Sequence, residues 1–283
     1  MQKLGLLVLA GILAMGSGVL AAERVRCGTA DTLRPDALRA PEDLARWAET
    51  NAARLAAACQ IPVAFHVIYE VQNGEIIGDV FLEQIDQQIN QLTQEYRRKG
   101  FTFYLFSVDA VESHKWSNLK MGSAAEKKAK RALAITPESV LNVYTVPNPK
   151  GGLLGWATFP WMFASEADPR AGVVIDTGTL PGGDEAPYDL GATLVHEAGH
   201  YLGLFHTFQD GCSGDGDYCE DTAAEREAAF GCPVGRDTCV GDGPDPIHNF
   251  MDYSDDDCLF EFTQDQKSRM NWAVSTYRPS LCP

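Results

Sequence analysis

Positive charge is in short supply in this chain: 23 Lys and Arg stand against 39 Asp and Glu, a formal net charge of −16 over 283 residues. That shortage excludes nucleic acid and anionic membrane surfaces as partners, because both are held by a cationic face. Beyond Ala22 no run is apolar enough to span a bilayer, which argues against a stable membrane association. Long internal repeats and low-complexity tracts are missing, which excludes a solenoid. No Asn-x-Ser/Thr sequon occurs, so N-glycosylation is not expected. The charge deficit is also local, with 16 acidic side chains against two arginines between Asp210 and Asp265. Such a surface suits cationic peptide ligands, and in places it suits calcium.

What is present points to export. Lys3 precedes an apolar run from Leu4 to Leu20, and small residues at Ala21 and Ala22 offer a signal-peptidase site. The expected organisation is a signal peptide over 1–22, a pro-segment over 23–54 and a catalytic domain over 55–283. Arg46 and Arg54 are the basic cleavage points at which a mature form could begin. Eight cysteines in an exported chain imply an oxidising destination and disulfides. Five of them, Cys212, Cys219, Cys232, Cys239 and Cys258, crowd one loop-rich stretch. Their seven-residue spacings are wider than a zinc knuckle uses. The sequence itself leaves their connectivity open, along with that of Cys59 and Cys282.

The chemistry is carried by HEAGHYLGLFH, His196 to His206. Residues four apart share one face of a helix, so His196 and His200 can aim ring nitrogens at one zinc ion. Gly203 can take a positive φ at low cost, ending the helix and swinging His206 back as third ligand. Glu197 is offset toward a water rather than the metal, as the general base of metal-assisted hydrolysis. A fourth coordination position stays open for water or substrate. Glu220 would be a third ligand of a different zinc-peptidase class, but it lies in the acidic loop without helical context.

Followed by NFMDYSDD with its methionine Met251, HExxHxxGxxH resembles the metzincin clan of zinc peptidases. Within the clan, RCGT, GDGDYCEDT, GCPVGRDTC and DPIHNFMDYSDDDC resemble the pappalysin family, peptidase family M43, in its shorter secreted microbial form. The resemblance spans most of the chain after the signal segment. It implies that Met251 forms the floor beneath the zinc and that Tyr253 approaches the metal or the reacting carbonyl. Asp256 would floor the pocket for the residue after the scissile bond, favouring arginine or lysine there through a charge-assisted pair; a solvated acidic turn at Asp255, Asp256 and Asp257 is the alternative. Calcium would sit just beyond the zinc helix, with Asp215, Asp217, Asp221 and Thr222 as candidate ligands, or those residues form only an exposed acidic loop. Cys27 would occupy the open zinc position in a latent zymogen, unless it forms a disulfide. Implied disulfides are Cys212 with Cys239 and Cys232 with Cys258, with Cys219 as an extra cysteine.

Periodicity supplies the frame. The run Pro41 to Ala58 has a helical pattern, and IPVAFHVIYE alternates as the first strand, with His66 a packed strand residue rather than a ligand. An amphipathic helix follows between Gly78 and Lys99, then the strand FTFYLFSVDAV and a helix around Ala124 to Ala134. VLNVYTVP, GLLGWATFPW and GVVIDTG read as further strands before a zinc helix over Leu190 to Leu204. Gln264 to Arg278 reads as a closing helix. This order implies an α+β metzincin-like fold, with an upper subdomain of mixed β-sheet and helices and a lower loop-rich subdomain with disulfides. Trp156, Ala157 and Thr158 are the candidate rim against which an extended substrate would pair. The expected protein is a secreted monomeric zinc metalloendopeptidase acting on proteins or peptides. The alternative is a secreted binding protein that keeps the zinc fold without turnover, against which the intact Glu197 argues.

Overall fold

The computed structural model describes residues 24–29, 44–53, 58–241 and 243–283. The signal segment Met1 to Ala22, most of the pro-segment and the cleavage candidate Arg54 lie outside the described residues.

The sheet has seven strands: β1 (Val25–Cys27), β2 (Cys59–Gln72), β3 (Glu75–Ile77), β4 (Phe101–Glu112), β5 (Leu141–Val146), β6 (Leu153–Ala157) and β7 (Val173–Asp176). Across it the order is β1, β6, β7, β5, β2, and β2 then carries both β3 and β4. β2 pairs parallel with β4 and β5, and β5 pairs parallel with β7. Parallel strands are covered on both faces, so they read as near-continuous apolar runs; every residue of β5 is buried. Two pairings are antiparallel, β6 with β7 and β3 with β2. β3 returns on β2 through Asn73-Gly74, both at positive φ, a hairpin that the helix-and-strand periodicity does not reveal.

The helices are α1 (Leu44–Thr50), α2 (Leu82–Tyr96), α3 (Ala124–Leu133), α4 (Ala192–Leu202) and α5 (Gln264–Tyr277). α2 buries Ile85, Ile89, Leu92 and Tyr96, a stripe at the helical repeat that lies on the same sheet face as α4. Gly100, at φ 98°, lets the chain leave the following turn directly into β4. α3 starts at Ser123, whose hydroxyl accepts from the Glu126 backbone N–H, and lies on the opposite face over Trp156 and Tyr144. His66 is fully buried in β2 between Asp109 (2.6 Å) and Asn142 (2.9 Å) and stacks on Tyr144, which suits its packed role.

Among the described residues between Gly203 and α5, the one regular element is a single 3-10 turn at Asp256–Cys258. This lower half has a small core of Ala229, Ile247 and Cys258, so covalent and ionic ties hold it. Disulfides join Cys212 to Cys239 and Cys232 to Cys258, the pairing the family resemblance implies. Arg236 reaches both Glu225 and Asp245, whose carboxylates are buried. α5 closes the molecule: its buried Arg269 donates to the Gly203 carbonyl at 3.0 Å, and Met270 and Val274 enter the main core.

Cys59, the first residue of β2, is bonded to Cys282, while Cys27 and Cys219 are free and buried. Because that bond closes a loop of 223 residues, replacing both cysteines by serine is expected to cost about 2–5 kcal/mol of stability. Chemical denaturation of the processed double variant checks this; an unchanged midpoint would show that the closed loop contributes nothing.

Candidate active site

Every residue of α4 is buried, and the helix runs between the sheet and the lower half. His196 and His200 lie one turn apart, and their ring centroids are 4.8 Å apart. Gly203 caps the helix at φ 109°, and a Cβ there would stand 2.5 Å from the Ala273 Cβ, so both conformation and space require glycine. The chain then turns His206 back over His200, with ring centroids 4.5 Å apart.

The ring nitrogens are sorted by their partners. His196 Nδ1–H donates to the Phe250 carbonyl at 2.6 Å, and His200 Nδ1–H donates to the Leu204 carbonyl at 2.8 Å. A carbonyl only accepts, so Nε2 carries the lone pair on both rings. The Nε2 atom of His200 lies 3.2 Å from that of His196 and 3.0 Å from that of His206. Burial, and the neighbouring imidazoles after it, push His196 and His200 well below the ordinary histidine range. Cys27 Sγ joins them: donor atoms of Cys27, His196, His200 and His206 all lie within 4.8 Å of one another. Three imidazoles and one sulfur, with the Nε2 lone pairs of His196 and His200 held inward, are the donor set that fits zinc.

Beneath the histidines lies Met251, fully buried; a Cβ on Gly199 would come within 2.4 Å of its sulfur. The methionine turn thus meets α4 at the one residue without a side chain. Glu197 is equally confined, since a Cβ on Gly155 of β6 would stand 2.9 Å from its Cγ. Burial raises Glu197 to about 8, opposed by hydrogen bonds from Cys27 and Thr29. Thr29 links two walls: its hydroxyl donates to Glu197 Oε2 at 3.1 Å and accepts from the Ala157 N–H at 2.8 Å. Tyr253 OH lies 3.3 Å from His206 Nε2 and donates to the Cys27 carbonyl at 3.2 Å.

Asp256 is buried rather than part of a solvated turn. Its Oδ2 accepts from the backbone N–H groups of Leu190 (3.0 Å) and Ala192 (3.1 Å) at the start of α4. Its Oδ1 faces the guanidinium of Arg26 at 3.0 Å, and Arg26 also donates to the Ser254 carbonyl. Arg24 is paired outside with Asp176 and Glu185. The sequence reading missed Arg24, Arg26, Thr29 and Gly155; the two arginines flanking Val25 in RVRCGT were the available signal. β1 pairs parallel with β6, Val25 opposite Leu153 and Cys27 opposite Gly155. β6 is therefore a rim occupied by the chain's own N-terminal segment. Of the rim candidates, Trp156 turns its side chain away, buried on the outer face and donating to Glu126 at 2.8 Å. Thr158 lies just past the strand, its hydroxyl against Gly172.

The acidic candidates are less concentrated. Asp217 is buried and Asp215 exposed, while Asp221 Oδ2 accepts from the Gln264 and Asp265 N–H groups at the start of α5. Among the described residues their carboxylates do not form a cluster as tight as the histidine group. Asp217 Oδ1 accepts from the Cys219 N–H at 3.0 Å, and the Thr222 hydroxyl also bonds the Asp217 carboxylate.

Comparison with known proteins agrees with this geometry. Residues 126–275 match the peptidase M43 family model described as pregnancy-associated plasma protein-A. Extracellular metalloprotease 1 of Coccidioides posadasii is 39% identical over 268 residues, covering 92% of this chain and 94% of that protein. An extracellular metalloprotease of Pyricularia oryzae is 35% identical over 258 residues, covering 89% of each. Mature mirolysin of Tannerella forsythia, solved in complex with a cleaved peptide, superposes with a TM-score of 0.70 at 26% identity, over 80% of this chain and 96% of that one. With two-thirds or more of each relative covered and the histidine group intact, the chain belongs to the M43 family of zinc metallopeptidases, the pappalysins of the metzincin clan.

Proposed function

We propose that this chain is an extracellular zinc endopeptidase held latent by its own N-terminal segment and selective for arginine or lysine after the scissile bond. The observation that carries the reading is the joint placement of Cys27 among the three histidines and of Arg26 on Asp256. One short strand thereby fills the position where water would be activated and the pocket where a basic side chain would bind. Latency ends when cleavage ahead of Cys59 frees the segment; Cys59 stays tied to Cys282 in the mature domain.

His196, His200 and His206 would hold a zinc ion, which would supply Lewis acidity to a water and to the scissile carbonyl. Glu197, confined between α4 and β6, takes the proton of the attacking water and passes it to the leaving amine nitrogen as the C–N bond breaks. The Tyr253 hydroxyl, freed from the Cys27 carbonyl, donates to the scissile carbonyl oxygen as it gains negative charge. Gly155 and Ala157 hold the substrate backbone along the rim. Asp256, preset by two backbone donors, pairs with the guanidinium or ammonium of the residue after the cut.

The test is cut-site mapping on a proteome-derived peptide library with processed, zinc-loaded protein. Wild type is expected to enrich arginine and lysine after the cut, and Asp256→Ala to lose that enrichment while still cleaving. An unchanged pattern in Asp256→Ala removes the specificity assignment.

A calcium ion bound through Asp217 and Thr222 is also part of the reading. It is supported by the burial of the Asp217 carboxylate within the acidic loop, with the Thr222 hydroxyl beside it. Calcium-selective chelation with zinc resupplied is expected to lower Tm by several degrees, since an ion bound at a hundredfold its Kd stabilises by about 2.7 kcal/mol. A melting curve that does not move would count against the site.

A further inference from the structure

Next to the rim, on the sheet face opposite α4, a cavity of about 270 Å³ is lined by Met121, Lys130, Trp156, Ala157, Met162 and Phe163, among others. The chemistry above uses only the Ala157 backbone at its edge. We propose that it is a specificity pocket for an aromatic or long apolar side chain on the amino side of the scissile bond, two to three residues before the cut, and that it rejects basic side chains. The proposal rests on the endopeptidase reading.

Direction comes from the N-terminal segment. In a substrate, the residue following the scissile carbonyl would enter the Asp256 pocket; here the residue preceding Cys27 does so. The segment therefore runs against the substrate direction. Because it is parallel to β6, a substrate is antiparallel to β6, with its amino side toward Ala157 and Thr158. Gly155 is level with Cys27, and the cavity opens at Ala157 and beyond. At about 3.3 Å per residue, a strand reaches this level two to three residues from the metal.

Continuity with the cleft is physical. Met121, on the cavity wall, also abuts the path of the N-terminal segment: a Cβ on Gly28 would stand 3.2 Å from its sulfur. At the same level the Ala157 N–H is engaged by Thr29, so a polypeptide lying here already hydrogen-bonds the rim.

The lining defines the class of side chain. Met121, Trp156, Met162 and Phe163 make an apolar wall, with methionines that adapt to varied shapes. Its lining carries Lys127, Lys130 and Arg170 against Glu126. Glu126 is taken by Lys130 and the adjoining Asp168 by Arg170 at 2.6 Å, so Lys127 leaves the wall net positive and neither carboxylate is free for an incoming cation. Arg170 lies over the Phe163 ring at 4.4 Å. Lys130, 1% exposed, donates to Glu126 at 2.9 Å, and its ammonium has further N–H groups to offer a tyrosine hydroxyl. A guanidinium or ammonium entering here would be desolvated beside like charges. The two sides of the cut thus have opposite demands, cationic after it and apolar before it.

The experiment is quantitative cut-site profiling of the processed, zinc-loaded enzyme on a peptide library, with Glu197→Ala as the blank. Wild type is expected to enrich Phe, Tyr, Leu and Met, and to deplete Arg and Lys, by on the order of tenfold at the second or third position before the cut. Phe163→Ala should flatten that preference and Met162→Glu should admit basic residues there, both keeping Arg and Lys after the cut. Glu197-dependent cleavage with a flat wild-type profile at these positions overturns the pocket alone. Absence of Glu197-dependent cleavage overturns the endopeptidase reading, and this proposal with it.

Discussion

Full-length protein carrying Cys27→Ala is expected to hydrolyse peptides without any prior cleavage, at a rate on the order of 10²-fold or more above the intact wild type. The segment over 24–29 has two principal anchors. Cys27 meets the histidine group, where a zinc ion would hold its sulfur as thiolate; without metal, burial and then the Glu197 charge push this thiol well up. Arg26 meets Asp256, a buried pair whose one-sided disruption costs about 3–5 kcal/mol. Each 1.4 kcal/mol of lost anchoring is a factor of ten in the open population. Removing the sulfur also frees the position where water must bind, so its effect should exceed that of Arg26→Ala. Initial rates on a fluorogenic peptide, with mass spectrometry confirming an intact N-terminus, decide the matter. A Cys27→Ala protein as inert as wild type, alongside an active processed form, would sink the latency assignment.

Glu197→Ala is expected to lower kcat by about 10²–10⁴-fold while one zinc per chain is retained. The carboxylate is fully buried and is not among the four converging donors; it is bonded by Cys27 in the closed state, and in the processed protein its loss should leave the three histidines in place. Its proposed role as a base also fixes the sign of a pH effect. Only the ionised carboxylate accepts a proton, so activity rises with pH through its pKa. In the closed state burial holds that pKa at about 8. Withdrawal of Cys27 and Thr29 admits water and relieves the desolvation, so the acid limb of the processed enzyme should fall below that value. Metal analysis paired with pH–rate profiles checks both statements. Loss of zinc in the variant, or unchanged kcat, would assign Glu197 a structural role.

Much of this arrangement was legible in the residues because it is local. Helical spacing alone places His196 above His200, and the positive φ that Gly203 adopts returns His206 within one turn. Four of the strand and helix predictions around the site, including those for β5, β7, α4 and α5, needed only periodicity and breakers. The ends of α4 were read too long, at Leu190 and Leu204 instead of Ala192 and Leu202, because Gly191 and Gly203 take positive φ at both ends. β1 escaped notice because three residues carry no period; it exists because β6 offers an unpaired edge.

Sequence by itself pointed to a zinc metallopeptidase and named His196, His200, His206 and Glu197 as its candidate residues, while the two lower disulfides came from the family resemblance and not from spacing. Tertiary structure alone decided that Arg26 meets Asp256 across 230 positions, that Cys59 pairs with Cys282, and that Gly155 and Gly199 are the gaps into which Glu197 and Met251 fit. It also turned Trp156 away from the cleft to line a cavity behind the rim. The division has one physical cause. Ligand spacing along a helix is set by bond geometry within a single turn, whereas charge pairing and packing between distant segments depend on which sheet edge and which face the whole chain leaves open.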